Sequence, residues 1–429
     1  MTERINDPRL QHLVDHETFD VLLQRITQIA GGYADGNDAD HLRHDAVILW
    51  SLDRDPISGA PGASQETLSR FEKLAITKGN RRKVLNTLID HYVKHHARPP
   101  KEIVIEPDGS MFKTYGSQQG AVYRGGKYKH EMYFPLLIFI GNWIVSAVLR
   151  MGNKSEAKTI VTELKVIVRK LRKKWRKVKI KVRMDAAFCS PGLLNWLRQE
   201  RIGYELALKP NSVLDMYSRH FLEQACNQFY VQFGQARFLG PRGKSRAQAE
   251  HQRIRELPSD RRMAAEEEWR HRRTRVVGEF SYKPEKWKNW EHVIARCDYT
   301  DKGADVRYVV VSEQRGIPRS IYEDSYCKRG LSEQMIGLLK QTGQKLSAQT
   351  FRSNQFRLLL YAIAYQLLVH LRERIGNGVE KSQISTIRQL FMTVPMIIRR
   401  TKNKVIFQIS QFDSRCRYFL AAWRKLSTA

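Results

Sequence analysis

The sequence predicts an α/β fold, and three features carry that expectation: apolar runs of strand length at residues 103–105, 132–140 and 143–149, a helical period over 160–175, and a strand–helix–strand return over 177–208. At 429 residues the chain can build one large core with one or two smaller modules, and its 42% hydrophobic content lets it bury that core. Its 74 Lys and Arg against 44 Asp and Glu leave a net charge of +30. An excess of that size repels itself until a polyanion neutralises it, which points to nucleic acid as partner. A ribosomal or RNA-binding protein is the plainest reading of charge alone. The cysteines, at 189, 226, 297, 327 and 416, are odd in number and show no Cys-x-x-Cys or other zinc spacing, so a reducing cytoplasm is expected. Met1-Thr2-Glu3-Arg4 opens a polar stretch with no apolar signal core, which argues against secretion. The longest apolar run, 133–149, is interrupted by Pro135 and by Gly141-Asn142, which suits two short strands and a turn better than a membrane span.

Residues 16–97 read as helical, with charged faces and few β-branched runs. Within them Ala60-Pro61-Gly62-Ala63 is a small-residue turn before Ser64-Gln65-Glu66-Thr67-Leu68-Ser69-Arg70-Phe71, which reads as the second helix of a helix-turn-helix. Its Ser64, Gln65, Thr67, Ser69 and Arg70 could meet base edges or phosphates; a plain capped surface helix is the alternative. Arg98-Pro99-Pro100 ends the region, so a helical domain over 1–98 is expected. A strand at 103–105 then runs into Glu106-Pro107-Asp108-Gly109, and two strands follow around Gly141-Asn142. Asn153 and Glu156 form a capping box for a helix whose apolar face runs from Ile160 to Trp175. Residues 177–183 alternate basic and apolar and lead into Met184-Asp185. The lysines on one face of this strand meet DNA or are poorly covered, since a central strand should be apolar on both faces. Ser190-Pro191 starts another helix and 204–208 is a last short strand.

The resulting order is that of a ribonuclease H-like core, a mixed five-stranded sheet flanked by helices, with its first part at 99–209. Residues 210–319 break the pattern as an inserted, mostly β module, helical and charged over 245–273 and strand-like at 276–280, 293–296 and 306–311. Helices at 325–340 and 354–371 complete the core over 320–380, and a basic region, 381–429, carries Arg399-Arg400, Lys402, Lys404, Arg415 and Arg417.

This order places Asp108 at the end of the first strand, Asp185 at the end of the fourth, and an acid on a late helix. Phosphodiester cleavage uses a pair of divalent ions, and hard carboxylate oxygens from separate elements suffice to hold them. Each aspartate also has a plainer reading, Asp108 as a Pro-Asp-Gly turn and Asp185 as a loop or capping residue. On the late helix, Tyr326, Arg329, Glu333 and Lys340 fall within roughly 60° of one another at 3.6 residues per turn. That stripe is either a solvated face or a metal ligand sharing its face with phosphate-binding groups.

These residues resemble the Tyr-Arg-Glu-Lys signature of one branch of the DDE insertion-sequence transposases. The match is Tyr326-x-x-Arg329-x-x-x-Glu333, six residues, then Lys340. Gly116-Ser117-Gln118-Gln119-Gly120, Tyr133-Phe134-Pro135-Leu136 and Ser64-Gln65-x-Thr67-x-Ser69-Arg70 extend the resemblance, over about residues 15–375, toward the insertion sequence 1380 family. It implies that Asp108, Asp185 and Glu333 form a catalytic triad holding two Mg²⁺ or Mn²⁺ ions, with Tyr326, Arg329 and Lys340 on DNA phosphates. It implies a prokaryotic protein whose N-terminal helices bind terminal inverted repeats, acting as a homodimer on paired ends, cleaving them and joining them to target DNA. Trp287 and Trp290 would hold a flipped base, or serve packing. Pro107 inside the first-strand motif and Ala186-Ala187 after Asp185 depart from the family pattern. A non-catalytic DNA-binding protein and a ribonuclease H-like nuclease without strand transfer are the competing expectations.

Overall fold

Helices fill the first hundred residues, as their periodicity dictates: α1 (Thr18–Gly31), α2 (Ala39–Leu42), α3 (Ala46–Ser51), α4 (Gln65–Leu74), α5 (Arg81–Leu85) and α6 (Thr87–His95). The computed structural model describes residues 1–126, 128–153, 157–233, 252–313, 315–376, 378–402 and 404–427. They divide into two units, one of 1–101, 105–178 and 331–429, the other of 102–104 and 179–330. Local signals set the helix ends. Asp45 accepts the amides of Val47 and Ile48 at the start of α3, Ser64 accepts that of Thr67 at the start of α4, and Gly32 closes α1 with φ 109°.

In the first unit β1 (Glu102–Gly109), β5 (Leu136–Ile140) and β6 (Trp143–Val148) pair antiparallel in the order β6-β5-β1, with residues 102–104 of β1 assigned to the second unit. The apolar run 132–140 is two strands. Phe134-Pro135 breaks it, because proline has no N–H for the ladder, and β4 (His130–Tyr133) pairs instead with β2 (Phe112–Lys113) and β3 (Val122–Arg124). Strand β6 ends the sheet order, and its outer backbone groups are met by glutamines of the long helix Phe351–Ile375. Gln355 donates to the Ala147 carbonyl and accepts the Leu149 amide, while Gln366 donates to the Ile144 carbonyl. Those bonds do what a further strand would do, and leave no open edge there. Helix α7 (Ala157–Lys174) buries Ile160, Leu164, Ile167, Val168 and Leu171. Glu156 of the expected capping box lies outside the described residues.

In the second unit β7 (Lys179–Met184), β8 (Gly203–Leu208), β9 (Arg273–Tyr282), β10 (Glu291–Thr300) and β11 (Gly303–Val311) make a mixed sheet in the order 102–104, β7, β8, β11, β10, β9. Strands β7 and β8 run parallel and the rest of the ladder from β8 onward is antiparallel. Helix α8 (Pro191–Gln199) separates the parallel pair, capped by Ser190 with Pro191 in its first turn. The strands of residues 210–319 do not form a sheet of their own: Val311 pairs with Glu205, so β11 extends the β7–β8 ladder. Helix α9 (Ser212–Phe233) went unanticipated because apolar Val213, Met216 and Val231 face solvent and blur its period.

The first unit holds one buried and one half-buried polar cluster. Arg25, 1% exposed, donates to Glu72 at 3.0 Å and to the carbonyls of Tyr33, Ala34 and Asp35, and Glu72 also accepts Arg357 of the long helix. Replacing Glu72 with alanine strands both guanidinium groups and is expected to cost roughly 3–5 kcal/mol in urea unfolding. Around Trp143, His95 stacks on the indole at 4.7 Å and lies 4.2 Å from His370. Burial, then the neighbouring His370, His96, His91 and Arg374, push the His95 imidazole down to about 4. Between that value and the ordinary 6.5 the unfolded chain holds the extra proton, so stability is complete above 6.5 and falls as pH drops toward 4. Melting temperatures across that window should decline less steeply for His95→Gln.

Candidate functional site

Asp108 sits on the last turn of the β1 ladder, opposite Leu137, with Pro107 opposite Ile138. Proline is tolerated in β1, and the Pro-Asp-Gly tripeptide is strand, not turn. Asp108 Oδ1 accepts the Gly109 amide at 2.8 Å, which fixes the carboxylate, and Oδ2 accepts the Ser332 hydroxyl at 3.3 Å. Gly109 must be glycine here, since a Cβ would stand 2.4 Å from the Phe134 ring and 3.1 Å from the Arg150 guanidinium. Ser332 lies on the helix Gly330–Thr342 beside Glu333, so this one bond brings the turn that carries Glu333 to the end of β1. Glu333 itself is exposed. Farther along the same helix Lys340 extends its ammonium over the Phe112 ring, 5.4 Å from the centroid, and burial lowers its pKa.

In the second unit Asp185 follows β7 and its Oδ1 accepts the Ala186 amide at 2.6 Å. The lysine-bearing face of β7 is covered only toward its end, Lys179 being exposed. Lys181 and Arg183 both meet Glu205, 1% exposed on the neighbouring strand β8, at 3.0 and 3.2 Å, and Ser325 donates to the same carboxylate. Glu205 therefore ties the strand that presents Asp185 to the residue before Tyr326. Tyr326 packs on the cluster of Ile294, Val309, Val311 and Tyr322, and Arg329 hydrogen-bonds to its hydroxyl. Burial and the nearby Asp185 carboxylate push the phenol up to about 12 against the opposing pull of Arg329, so it keeps its proton at neutral pH.

The expected single helical stripe is corrected here. Residues Ile321–Ser325 form a π turn and Tyr326–Arg329 a 3₁₀ turn before the α-helix begins at Gly330. A uniform period of 3.6 thus holds from Glu333 to Lys340 but not back to Tyr326 and Arg329, which belong to the second unit. Within neither unit, among the described residues, do three or more His, Cys, Asp or Glu side chains group as a metal site. Asp108 and Glu333 belong to the first unit and Asp185 to the second.

The polar residues of α4 bond largely to one another: Ser64 caps Thr67, Gln65 donates to Ser69, and Arg70 pairs with Glu66 while remaining mostly exposed. Trp287 meets Tyr282 edge-on at 5.6 Å, and Trp290 is 60% exposed with its carbonyl held by Arg198, so neither is a core side chain. Gln119 of Gly116–Gly120 accepts the Phe351 amide, and its backbone carbonyl accepts the Tyr133 hydroxyl, which gives these motifs a part in seating the long helix. Glu205 and Ser332 were missed by sequence reasoning; an acid in an apolar strand beside a basic one is the signal that could have found Glu205.

In the second unit a strand-end carboxylate, Asp185, stands near the Tyr326–Arg329 pair, and a chain of net charge +30 is equipped to handle a polyanion. The chain belongs to the family described as Transposase DDE domain group 1, whose model matches residues 1–429, and it is a transposase of that family. Among solved structures it is similar to the piggyBac transposase synaptic complex with hairpin DNA, at 11% identity and TM-score 0.41, over 90% of this chain and 76% of that one. It is also similar to the Mos1 transposase paired-end complex with left transposon end, at 12% identity and TM-score 0.18, over 53% of this chain and 71% of that one. No curated protein matches the chain. No helix among the described residues is long and apolar enough to cross a membrane.

The Glu205 clasp yields a direct test. Glu205→Gln leaves two cations facing a neutral amide and is expected to lower stability by about 3 kcal/mol in urea unfolding. A loss below about 1 kcal/mol would mean that Lys181 and Arg183 find their counter-charge elsewhere.

Proposed function

We propose that the protein, a member of the insertion sequence 1380 branch with the Tyr-Arg-Glu-Lys signature, cleaves the ends of its element and joins them to target DNA through a ribonuclease H-like core. The observation that carries this reading is the Ser332–Asp108 bond, which seats the turn bearing Glu333 at the end of β1. Asp108, Asp185 and Glu333 would together hold two Mg²⁺ or Mn²⁺ ions. Their donor chemistry fits: these are carboxylate oxygens, and Asp108 and Asp185 are each oriented by the amide of the next residue. Such ions, when bound, lower the pKa of the attacking oxygen and stabilise charge on the leaving one.

The chain's own groups then have definite tasks. Protonated Tyr326 and Arg329 donate to the phosphates of the transposon end, and Lys340, made less basic by burial, gains a counter-ion when a phosphate approaches. Water oxygen bonds to phosphorus, the P–O3′ bond breaks, and the proton goes to the departing oxygen, leaving a 3′-hydroxyl and a 5′-phosphate. That hydroxyl attacks a target phosphate in line, forming one phosphodiester and releasing a target 3′-hydroxyl. The N-terminal helices, with Ser64, Gln65, Thr67, Ser69 and Arg70, read the inverted repeats, and the exposed Trp290, with Trp287, stacks against an unpaired base. A homodimer on paired ends completes the reading, in a prokaryotic cytoplasm.

The test is Mg²⁺-dependent nicking and joining of a duplex bearing the element's own ends. Asp108→Asn, Asp185→Asn and Glu333→Gln should each lower both reactions by ~10²-fold or more while leaving DNA binding intact. Full activity in any one would remove that residue from the set. Nicking without joined products would leave a nuclease.

A further inference from the structure

The C-terminal region carries a two-stranded antiparallel ribbon, β12 (Met396–Thr401) and β13 (Lys404–Ile409), that forms a sheet by itself. Its two faces differ sharply. On the inner face Phe407 meets Trp50 edge-on at 5.3 Å and Arg400 pairs with Asp55 at 2.8 Å, so the ribbon is anchored to the helical region of its own unit. On the outer face the register sets Thr401 opposite Lys404, Arg399 opposite Ile406 and Ile397 opposite Gln408, and all of these are exposed. Lys402 is exposed at the tip. Among the described residues no acid pairs with Arg399, Lys402 or Lys404, and the sequence from 381 to 412 contains no Asp or Glu at all.

We infer that this ribbon is a DNA-contacting element, its outer face laid along a duplex with Arg399, Lys402 and Lys404 on phosphates and with Ile397, Ile406 and Gln408 toward the base edges. An anchored ribbon costs little to order on binding, and a two-stranded β-ribbon is the right width for the major groove of B-form DNA. Exposed isoleucines are of use there against thymine methyl groups, and the glutamine can pair with a base edge. The same face suits a second copy of the chain poorly, because an isologous contact would set Arg399 and Lys404 against their own copies. Duplex DNA supplies the missing negative charge. The inference is separate from the carboxylate reading, since it requires neither metal nor cleavage.

The experiment uses the full chain and a fluorescently labelled mixed-sequence DNA duplex of about 30 base pairs, roughly three helical turns, in EDTA. Binding is read by anisotropy over a range of salt concentrations. For the variant carrying Arg399→Ala, Lys402→Ala and Lys404→Ala we expect a loss of about 10- to 100-fold in affinity. The slope of log affinity against log salt should be shallower by about 2–3. The melting temperature should stay unchanged. Unaltered affinity and slope in the folded variant would overturn the inference. So would a variant of Ile397→Glu and Ile406→Glu that leaves DNA affinity intact but lowers the mass seen by light scattering, since the face would then join two copies. Because metal is absent throughout, failure here leaves the cleavage reading untouched, and inactive carboxylate variants would leave this one standing.

Discussion

Cation excess is the constraint under which the rest of the structure is built. At a net charge of +30 the folded chain repels itself, and few acids are available to counter the repulsion. The structure places several of them inside, each against more than one donor. Glu72 holds Arg25 and Arg357, Glu163 holds Arg82 and Ser146, Glu205 holds Lys181 and Arg183, Glu291 holds Arg198 and Tyr204, and Asp298 holds Arg275. A guanidinium with matching geometry satisfies the buried carboxylate oxygens and fixes the two elements that carry the pair. Most of these clasps join residues distant in sequence, so they act as staples between elements as well as neutralising pairs.

Because each clasp takes cations inside along with its acid, the clasps leave the net positive charge to be carried elsewhere on the chain. Arg399, Lys402 and Lys404 on the ribbon and the exposed Arg70 on α4 belong to that remainder. A polyanion that covered such surfaces would relieve the repulsion that the clasps only partly offset, and folding and DNA binding would then share one electrostatic cause.

Much of the element order was legible in the sequence because it rests on local signals. The alternation Val178, Ile180, Val182 gave β7, Ser190-Pro191 gave the start of α8, and the prolines at 99 and 100 marked the end of the helical region. What could not be read depends on partners far away in the chain. The split at Phe134-Pro135 follows from β4 pairing with β2 and β3, and the continuation of the β8 ladder by β11 follows from a contact between residues about a hundred positions apart. On the basic face of β7, Lys181 and Arg183 looked available to a ligand only because their partner, Glu205, stands on another strand. The stripe from Tyr326 to Lys340 failed for a different reason. A helical period assumes one helix type, and neither the π turn nor the 3₁₀ turn has a sequence signature strong enough to announce itself.

Asp108 and Asp185 were both named from their position after an apolar strand, and they share a local arrangement that position could not reveal. In each, one carboxylate oxygen accepts the amide of the very next residue, Gly109 in one case and Ala186 in the other. The bond holds the side-chain rotamer near a strand end, and it does so without any help from the side chain that follows. Ala186 therefore serves as well as a polar residue would, because only its N–H is used. Gly109 is needed for a separate reason, the approach of Phe134 and Arg150, which leave no room for a Cβ. At Asp108 the local bond is joined by a distant one from the Ser332 hydroxyl, so the carboxylate is oriented both by its own backbone and by the helix packed beside it.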